Sequence, residues 1–131
     1  MATIFTKIIQ GEIPCFKVAE DDHFLAFLDI RPVAFGHTLV IPKKEVDYYF
    51  DMDDAAIAAM NVFAKKVARV LGEEVPCLRI GVMVAGLEVP HAHVHLIPMK
   101  AISDLSFSNP RPEFPAADMK ALADKLYARL R

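Results

Sequence analysis

The chain has 131 residues, of which 54% are hydrophobic and 24% charged, and its formal net charge is -2. This size suits one compact domain, and the charge provides no broad basic surface of the kind that binds nucleic acid. No apolar run reaches the roughly 20 residues that a membrane span requires, and the first residues lack the features of a signal peptide. We therefore expect a cytoplasmic protein without membrane contact, in which Cys15 and Cys77 are free thiols.

The predicted elements are, in chain order, a short helix within residues 3–10, strands at 16–20, 24–29 and 37–41, a long helix at 51–71, strands at 78–85 and 91–98, an irregular segment at 101–115 and a last helix after Pro115. Apolar residues recur at helical spacing in the long helix, and Gly72 stands where it is expected to stop. Strands joined by short turns favour an antiparallel meander with helices on one side, which is an α+β fold. No repeat or linker divides residues 1–131, so we predict a single domain.

Three of the five histidines, His91, His93 and His95, fall at alternate positions of one predicted strand. Alternate residues of a strand share a face, so the three imidazoles are predicted to point the same way, about 6.6 to 6.8 Å apart per pair. The apolar residues that alternate with them would then face the core. This pattern is typical of a strand that builds a site.

Three interpretations of this histidine run are open. The imidazoles could be solvated on an exposed strand face, or a His-x-His pair could supply two zinc ligands, for which Glu88 is the only nearby additional candidate. The third interpretation is covalent catalysis, because a neutral imidazole attacks phosphorus well when its other nitrogen is held by a hydrogen bond. Flanking imidazoles could then donate hydrogen bonds to phosphoryl oxygens and to the leaving group.

Residues 91–97 match at every position the signature of the histidine triad (HIT) superfamily, His-φ-His-φ-His-φ-φ with φ apolar. Blocks at residues 4–14, 20–30 and 36–44 also resemble this family in the right order, so the resemblance covers residues 3–98 and leaves 101–131 as a C-terminal extension. It implies a HIT-like fold and a homodimer in which the strands of two subunits form one continuous sheet. It also implies a hydrolase or transferase that acts at the α-phosphate of a nucleotide.

The resemblance assigns the catalytic roles by position. His93 matches the nucleophile that forms a covalent nucleotidyl-histidine intermediate, and a backbone carbonyl is expected to hold its other nitrogen. His95 matches the residue that contacts the phosphate and the leaving-group side. His91 matches the orienting histidine, and His37 matches a fourth histidine that supports it.

The resemblance also assigns substrate-binding positions. Asp29 matches the carboxylate that accepts hydrogen bonds from the ribose hydroxyls. The slot for the base corresponds to Phe5, Ile8, Phe27 and Ile30, for which packing in the core is the alternative. The loop on the phosphate side corresponds to Gly86, where the missing Cβ allows close backbone approach, and to the backbone at Glu88 and Val89.

The chain departs from the family pattern in two places. Many bacterial members hold a structural zinc ion with residues that are Thr3, Thr6 and Glu45 here, so we predict no metal and no cofactor. The loop before the triad has Leu87 and Glu88 where phosphoramidase-type members have glutamine and a hydroxyl residue. The extension after residue 100 is expected to pack on its own domain, and the alternative is that it shapes the leaving-group side of the partner subunit's pocket.

These features predict a phosphoramidase-type hydrolase of a purine nucleotide. The alternatives are a dinucleoside polyphosphate hydrolase, which differs in its leaving group, and a nucleotide-binding regulatory module with weak catalysis.

Overall fold

The computed structural model of the chain describes residues 2–131. Its elements are α1 (Ile4–Ile9), β1 (Lys17–Glu20), β2 (Phe24–Leu28), β3 (Thr38–Pro42), a 3-10 turn (Tyr49–Asp51), α2 (Asp54–Glu74), β4 (Arg79–Met83), β5 (Val94–Met99), a second 3-10 turn (Ile102–Asp104) and α3 (Ala116–Leu130). The predicted number and order of helices and strands are confirmed.

The five strands form one antiparallel sheet in the order β1-β2-β3-β5-β4. The predicted α+β class is therefore confirmed. The last two strands exchange places relative to chain order, because α2 has 21 residues and spans about 30 Å, enough to carry the chain across the sheet. The chain thus returns through β4 at the outer edge, and β5 pairs with a strand on each side.

Both faces of the sheet are covered, which explains why all five residues of β2 are buried. Phe24, Ala26 and Leu28 belong to the main core under α2 and α3. Leu25 and Phe27 point to the opposite face, where α1 covers a second apolar cluster, so the prediction that the helices lie on one side of the sheet was wrong for α1. The C-terminal extension shares the main core, since α3 packs against α2 and β1.

The long helix begins at Asp54 and ends at Glu74, so the prediction that it stops at Gly72 was wrong. The helix continues through Gly72 to Glu74, and the next residue, Val75, has extended backbone. Pro76 explains this position, because a proline disfavours helical backbone in the residue before it.

Two further observations bear on the expectations from composition. Cys15 and Cys77 are half-buried and unpaired, as predicted. Within residues 2–131, the helices lack the combination of length and apolar character needed to cross a bilayer.

Candidate functional site

The structure brings His91, His93, His95 and His37 together, and each side chain is buried, with at most 6% of its surface exposed. The prediction that a strand carries all three histidines of the run was wrong in detail, because β5 begins only at Val94. The two residues before His93 make hydrogen bonds to loops instead of a sheet ladder: the His91 N–H to the Val89 carbonyl and the Ala92 N–H to the Val46 carbonyl.

The apolar residues that alternate with the histidines still face the main core, as predicted; they are Ala92, Val94 and Leu96. The rings of His93 and His95 lie with centroids 4.8 Å apart, closer than an ideal strand spacing gives. The imidazoles are thus clustered and shielded, which excludes the interpretation that they are solvated on an open strand face.

The protonation pattern of His93 is fixed by the backbone. Its Nδ1 lies 2.6 Å from the carbonyl oxygen of His91. A carbonyl oxygen can only accept, so Nδ1 carries the proton and Nε2 presents its lone pair to the cavity that His93 lines. The expected backbone carbonyl is confirmed, and it leaves His93 in the form that a nucleophile requires.

Two successive hydrogen bonds give the His95 ring the tautomer opposite to that of His93. The Val33 N–H donates to Nδ1 of His37 at 3.2 Å, so the His37 proton is on Nε2. This Nε2–H donates to Nδ1 of His95 at 2.9 Å, which places the His95 proton on Nε2. That Nε2–H is buried and has no hydrogen-bond partner within residues 2–131. His93 therefore carries a lone pair on Nε2 and His95 a proton on Nε2, and both residues line one cavity.

The position of His37 differs from the expectation that it supports His91. It contacts His95, and both ring nitrogens of His91 bind other groups. Burial lowers the pKa of His37 to about 4, with a further contribution from the nearby charge of Arg111. Burial also lowers the pKa of His95 to about 3, and the neighbouring His93 lowers it further. Both rings are therefore neutral near pH 7.

Asp29, His37 and His95 could each direct one ligand atom to a common point, since these atoms lie within 4.8 Å of one another. Asp29 Oδ2 lies 3.7 Å from Nε2 of His37. A cation at this point would have to displace the proton that His37 and His95 share. The three residues therefore serve better as a hydrogen-bonded group than as a metal site.

His91 lies behind the cavity and binds two groups through its ring. Its Nε2–H donates to the Pro42 carbonyl at 2.8 Å, and its Nδ1 accepts from the Thr3 hydroxyl at 2.9 Å. Burial lowers the pKa of His91, which is consistent with a neutral ring. Thr6 and Glu45 complete this cluster, because the Thr6 hydroxyl and the Thr3 N–H both donate to the Glu45 carboxylate.

These are the positions that match the zinc ligands of bacterial family members, and the residues here do not fit zinc. Structural zinc sites use thiolates and imidazoles, in most cases four of them. Thr3 and Thr6 provide neutral hydroxyls. Nδ1, the His91 nitrogen that carries a lone pair, already accepts a hydrogen bond from the Thr3 hydroxyl.

The cavity in front of the two catalytic candidates is lined by residues from four parts of the chain: Asp29, Ala85, Gly86, Leu87, Glu88, His93, His95, Phe107 and Arg111. Asp29 is half-buried, and one of its carboxylate oxygens accepts the Arg31 N–H at 2.9 Å. Gly86 has a φ of +78°, a backbone conformation that favours glycine, and space is open where a Cβ would stand. The loop predicted on the phosphate side therefore does face the histidines.

Phe107 and Arg111 were not among the predicted site residues. The Phe107 ring lies 4.6 Å from that of His95 and is stacked on His37 at 6.4 Å. The Arg111 guanidinium lies 5.4 Å from the Phe107 centroid and donates to the Arg31 carbonyl. The extension thus packs on its own domain, as predicted, and it also completes the cavity. No periodicity or motif in residues 101–115 indicates this return.

The predicted base slot is only partly assembled. Phe5 and Phe27 are buried, with ring centroids 5.6 Å apart, and they form the second apolar cluster with Leu25, Leu39 and Ile41. Ile8 and Val89 lie at the margin of this cluster and are partly buried. Ile30 is 71% exposed and stands apart from it. Phe5 also approaches the His93 ring edge-on at 5.1 Å, so the cluster supports the wall of the site.

The comparisons with known proteins agree with this geometry. Residues 10–102 match the HIT domain family. The whole chain is 35% identical to the whole of adenosine 5'-monophosphoramidase from Schizosaccharomyces pombe, over 134 aligned residues. A solved histidine triad nucleotide-binding protein from Sulfolobus tokodaii is 33% identical, with a TM-score of 0.79 and coverage of 93% of this chain and 87% of that one. A zinc-bound histidine triad family protein from Mycobacterium smegmatis is 29% identical, with a TM-score of 0.83 and coverage of 98% and 95%.

Proposed function

Since the chain belongs to the HIT domain family, we propose that it hydrolyses a purine nucleotide at the α-phosphate through a covalent intermediate on His93. The observation that carries this proposal is the pair of opposite tautomers, a lone pair on Nε2 of His93 and an N–H on Nε2 of His95, in two residues that line one cavity. The similarity to an adenosine 5'-monophosphoramidase supports the same reaction class.

In the first step, Nε2 of His93 attacks the α-phosphorus, and the bond between phosphorus and the leaving group breaks. The Nδ1–H that remains on His93 keeps its hydrogen bond to the His91 carbonyl, which stabilises the positive charge that develops on the ring. The His95 Nε2–H donates a hydrogen bond to the leaving atom or to a phosphoryl oxygen, where negative charge accumulates.

In the second step, water attacks the phosphorus of the nucleotidyl-histidine. The new bond joins the water oxygen to phosphorus, the phosphorus–nitrogen bond breaks, and the electron pair returns to Nε2 of His93. The leaving group of the first step takes up one proton from solvent, and the water of the second step releases one proton to solvent, so the two steps balance. The enzyme is restored, and the products are the nucleoside monophosphate and the protonated leaving group of the first step.

The remaining residues of the cavity position the substrate. Asp29 accepts hydrogen bonds from the ribose hydroxyls, and the backbone at Gly86 and after it approaches the phosphate. Arg111 offers a positive charge to this anionic ligand, and among residues 2–131 its side chain makes no ion pair. The base rests against the margin of the second apolar cluster, where Ile8 and Val89 are partly exposed.

An experiment with labelled substrate tests the proposal. Wild-type protein is incubated with an adenosine 5'-phosphoramidate and, separately, with diadenosine polyphosphates, and rapid acid-free quenching traps any protein-bound nucleotide. We expect an acid-labile adduct that is absent in His93→Gly and retained in His23→Gly, which changes an exposed histidine outside the cavity. The relative rates rank the two leaving-group classes. If wild type binds AMP but forms no adduct and no product, the chain is a nucleotide-binding module and the proposal fails.

We also propose the homodimer with a continuous sheet. The outer edge of β4 has no neighbouring strand within residues 2–131, and apolar Leu78 and Val82 beside it are 78% and 60% exposed. An unpaired strand edge with exposed apolar residues favours pairing with another chain. Analytical ultracentrifugation should show a wild-type dimer that Val82→Asp converts to monomer, whereas Ile102→Asp, at a site 78% exposed, should not. A monomeric wild type would contradict this arrangement.

A further inference from the structure

We infer that Thr3, Thr6 and Glu45 form a metal-free positioning network that holds the nucleophile His93 through His91. The inference starts from the disagreement described above: these residues stand at zinc-ligand positions of the family and cannot bind zinc well. Its activity readout rests on the proposed function, whereas its spectroscopic readout does not.

The network begins at the surface. The Glu45 carboxylate is exposed, and its Oε1 accepts from the Thr6 hydroxyl at 2.5 Å and from the Thr3 N–H at 3.2 Å. These two donors hold the pKa of Glu45 below its usual value. The Thr6 N–H in turn donates to the Thr3 hydroxyl oxygen at 3.0 Å, which caps α1. Glu45 therefore fixes the start of α1 against the loop after β3.

The direction of the next hydrogen bond is determined by its partners. The His91 Nε2 proton is committed to the Pro42 carbonyl, so Nδ1 is an acceptor and the Thr3 hydroxyl must donate to it. The Thr3 oxygen meanwhile accepts from the Thr6 N–H. The ring of His91 is thus held at both nitrogens by groups from two different segments of the chain.

His91 also connects this hydrogen-bond network to His93. The His91 N–H is bound by the Val89 carbonyl, and its own carbonyl accepts the His93 Nδ1–H at 2.6 Å. With the side chain and the N–H of His91 both bound, the carbonyl has little freedom to turn. It therefore holds His93 in the tautomer and orientation that aim Nε2 at the cavity.

The test uses Thr3→Val, which keeps the shape of the side chain and removes its hydroxyl, with Thr3→Ser as the conservative variant that restores a donor. In wild-type protein labelled with 15N histidine, NMR should show His91 protonated at Nε2 and His93 protonated at Nδ1. In Thr3→Val we expect the His93 signals to report a mixture of tautomers, and in Thr3→Ser the wild-type pattern. The kcat should fall roughly 10-fold to 100-fold in Thr3→Val, as for a small misplacement of a reacting group, with KM changed less than about threefold.

Loss of the α1 cap is a separate consequence of Thr3→Val, so a second variant is needed. Glu45→Ala leaves the Thr3 hydroxyl as the cap and removes only the surface anchor, and we expect a smaller change of the same kind in kcat and in the His93 signals. The inference is overturned if Thr3→Val and Glu45→Ala both keep the wild-type His93 tautomer. It is also overturned if purified wild type carries stoichiometric zinc that His91→Asn removes, or if chelator treatment lowers kcat. If the tautomers change as expected but wild type has no hydrolase activity, the proposed function fails and the network stands.

Discussion

Acidification from about pH 7.5 to about pH 5 is expected to destabilise the protein through the buried pair His37 and His95. Burial lowers the pKa of His37 to about 4 and that of His95 to about 3, compared with 6.5 for an unfolded chain. Because both folded pKa values lie below the unfolded value, the unfolded chain binds more protons in this range. The stabilisation is therefore complete above pH 6.5 and is lost progressively as the pH falls toward 4.

The size of the effect follows from proton linkage. Each imidazole that is protonated only in the unfolded chain costs the native state about 1.4 kcal/mol per pH unit below 6.5. At pH 5 this amounts to about 2 kcal/mol for one ring and about 4 kcal/mol for two. The two rings share a hydrogen bond and titrate as a pair, so the expected loss lies between about 2 and about 4 kcal/mol.

Urea unfolding at a series of pH values measures this loss. His95→Asn removes one titrating ring and should reduce the difference between the two pH limits by about 2 kcal/mol. The control His23→Asn, which changes an exposed histidine, should keep the wild-type pH dependence. His91, whose pKa burial also lowers, is present in all three proteins and does not affect the comparison. Identical pH dependence in wild type and His95→Asn would refute the reasoning.

Two further predictions address the cavity and the turn before His37. Arg111→Gln should raise the KM or product Kd for a nucleotide by about 10-fold, which is the low end of what a charge-assisted hydrogen bond contributes. The control is Arg69→Gln on the exposed face of α2. Equal effects of the two substitutions would show that Arg111 does not bind the nucleotide. Gly36→Ala should lower the free energy of unfolding by about 2 to 4 kcal/mol, because Gly36 has a φ of +92° and an added Cβ would lie 3.0 Å from the Val75 side chain. Gly11→Ala, with a similar φ of +80° and open space around it, should cost only the backbone part, about 1 to 2 kcal/mol, and an equal loss at both positions would contradict the packing argument.

The sequence predicted most of the fold because its local patterns match the observed elements. The spacing of Met60, Val67 and Leu71 predicted the face of α2 that is buried, and the alternation after His91 predicted which residues enter the core. Patterns of this kind depend only on helix and strand geometry, which a single sequence carries. The end of α2 was misplaced because a glycine is tolerated inside a helix, whereas Pro76 disfavours helical backbone at Val75.

The parts of the site that were not predicted depend on contacts between distant segments. Arg111 reaches the Arg31 carbonyl across 80 positions of the chain, and no local period indicates such a return. The partner of His37 was also misassigned for this reason, since the choice between His91 and His95 is decided by the register of β3 against β5. The hydroxyls of Thr3 and Thr6 bind His91 and Glu45, which lie 88 and 39 positions further along the chain, so no local pattern predicts these hydrogen bonds.

The placement of β5 between β3 and β4 has a consequence for how the protein folds. The pair His37 and His95 joins positions 58 residues apart, across the middle of the sheet. Contacts of such long range form late and slow folding, because the chain loses much entropy before they close. A fragment that lacks either β3 or β5 cannot hold this pair in place, so in a refolding experiment the activity proposed above should return together with the last cooperative transition of the sheet.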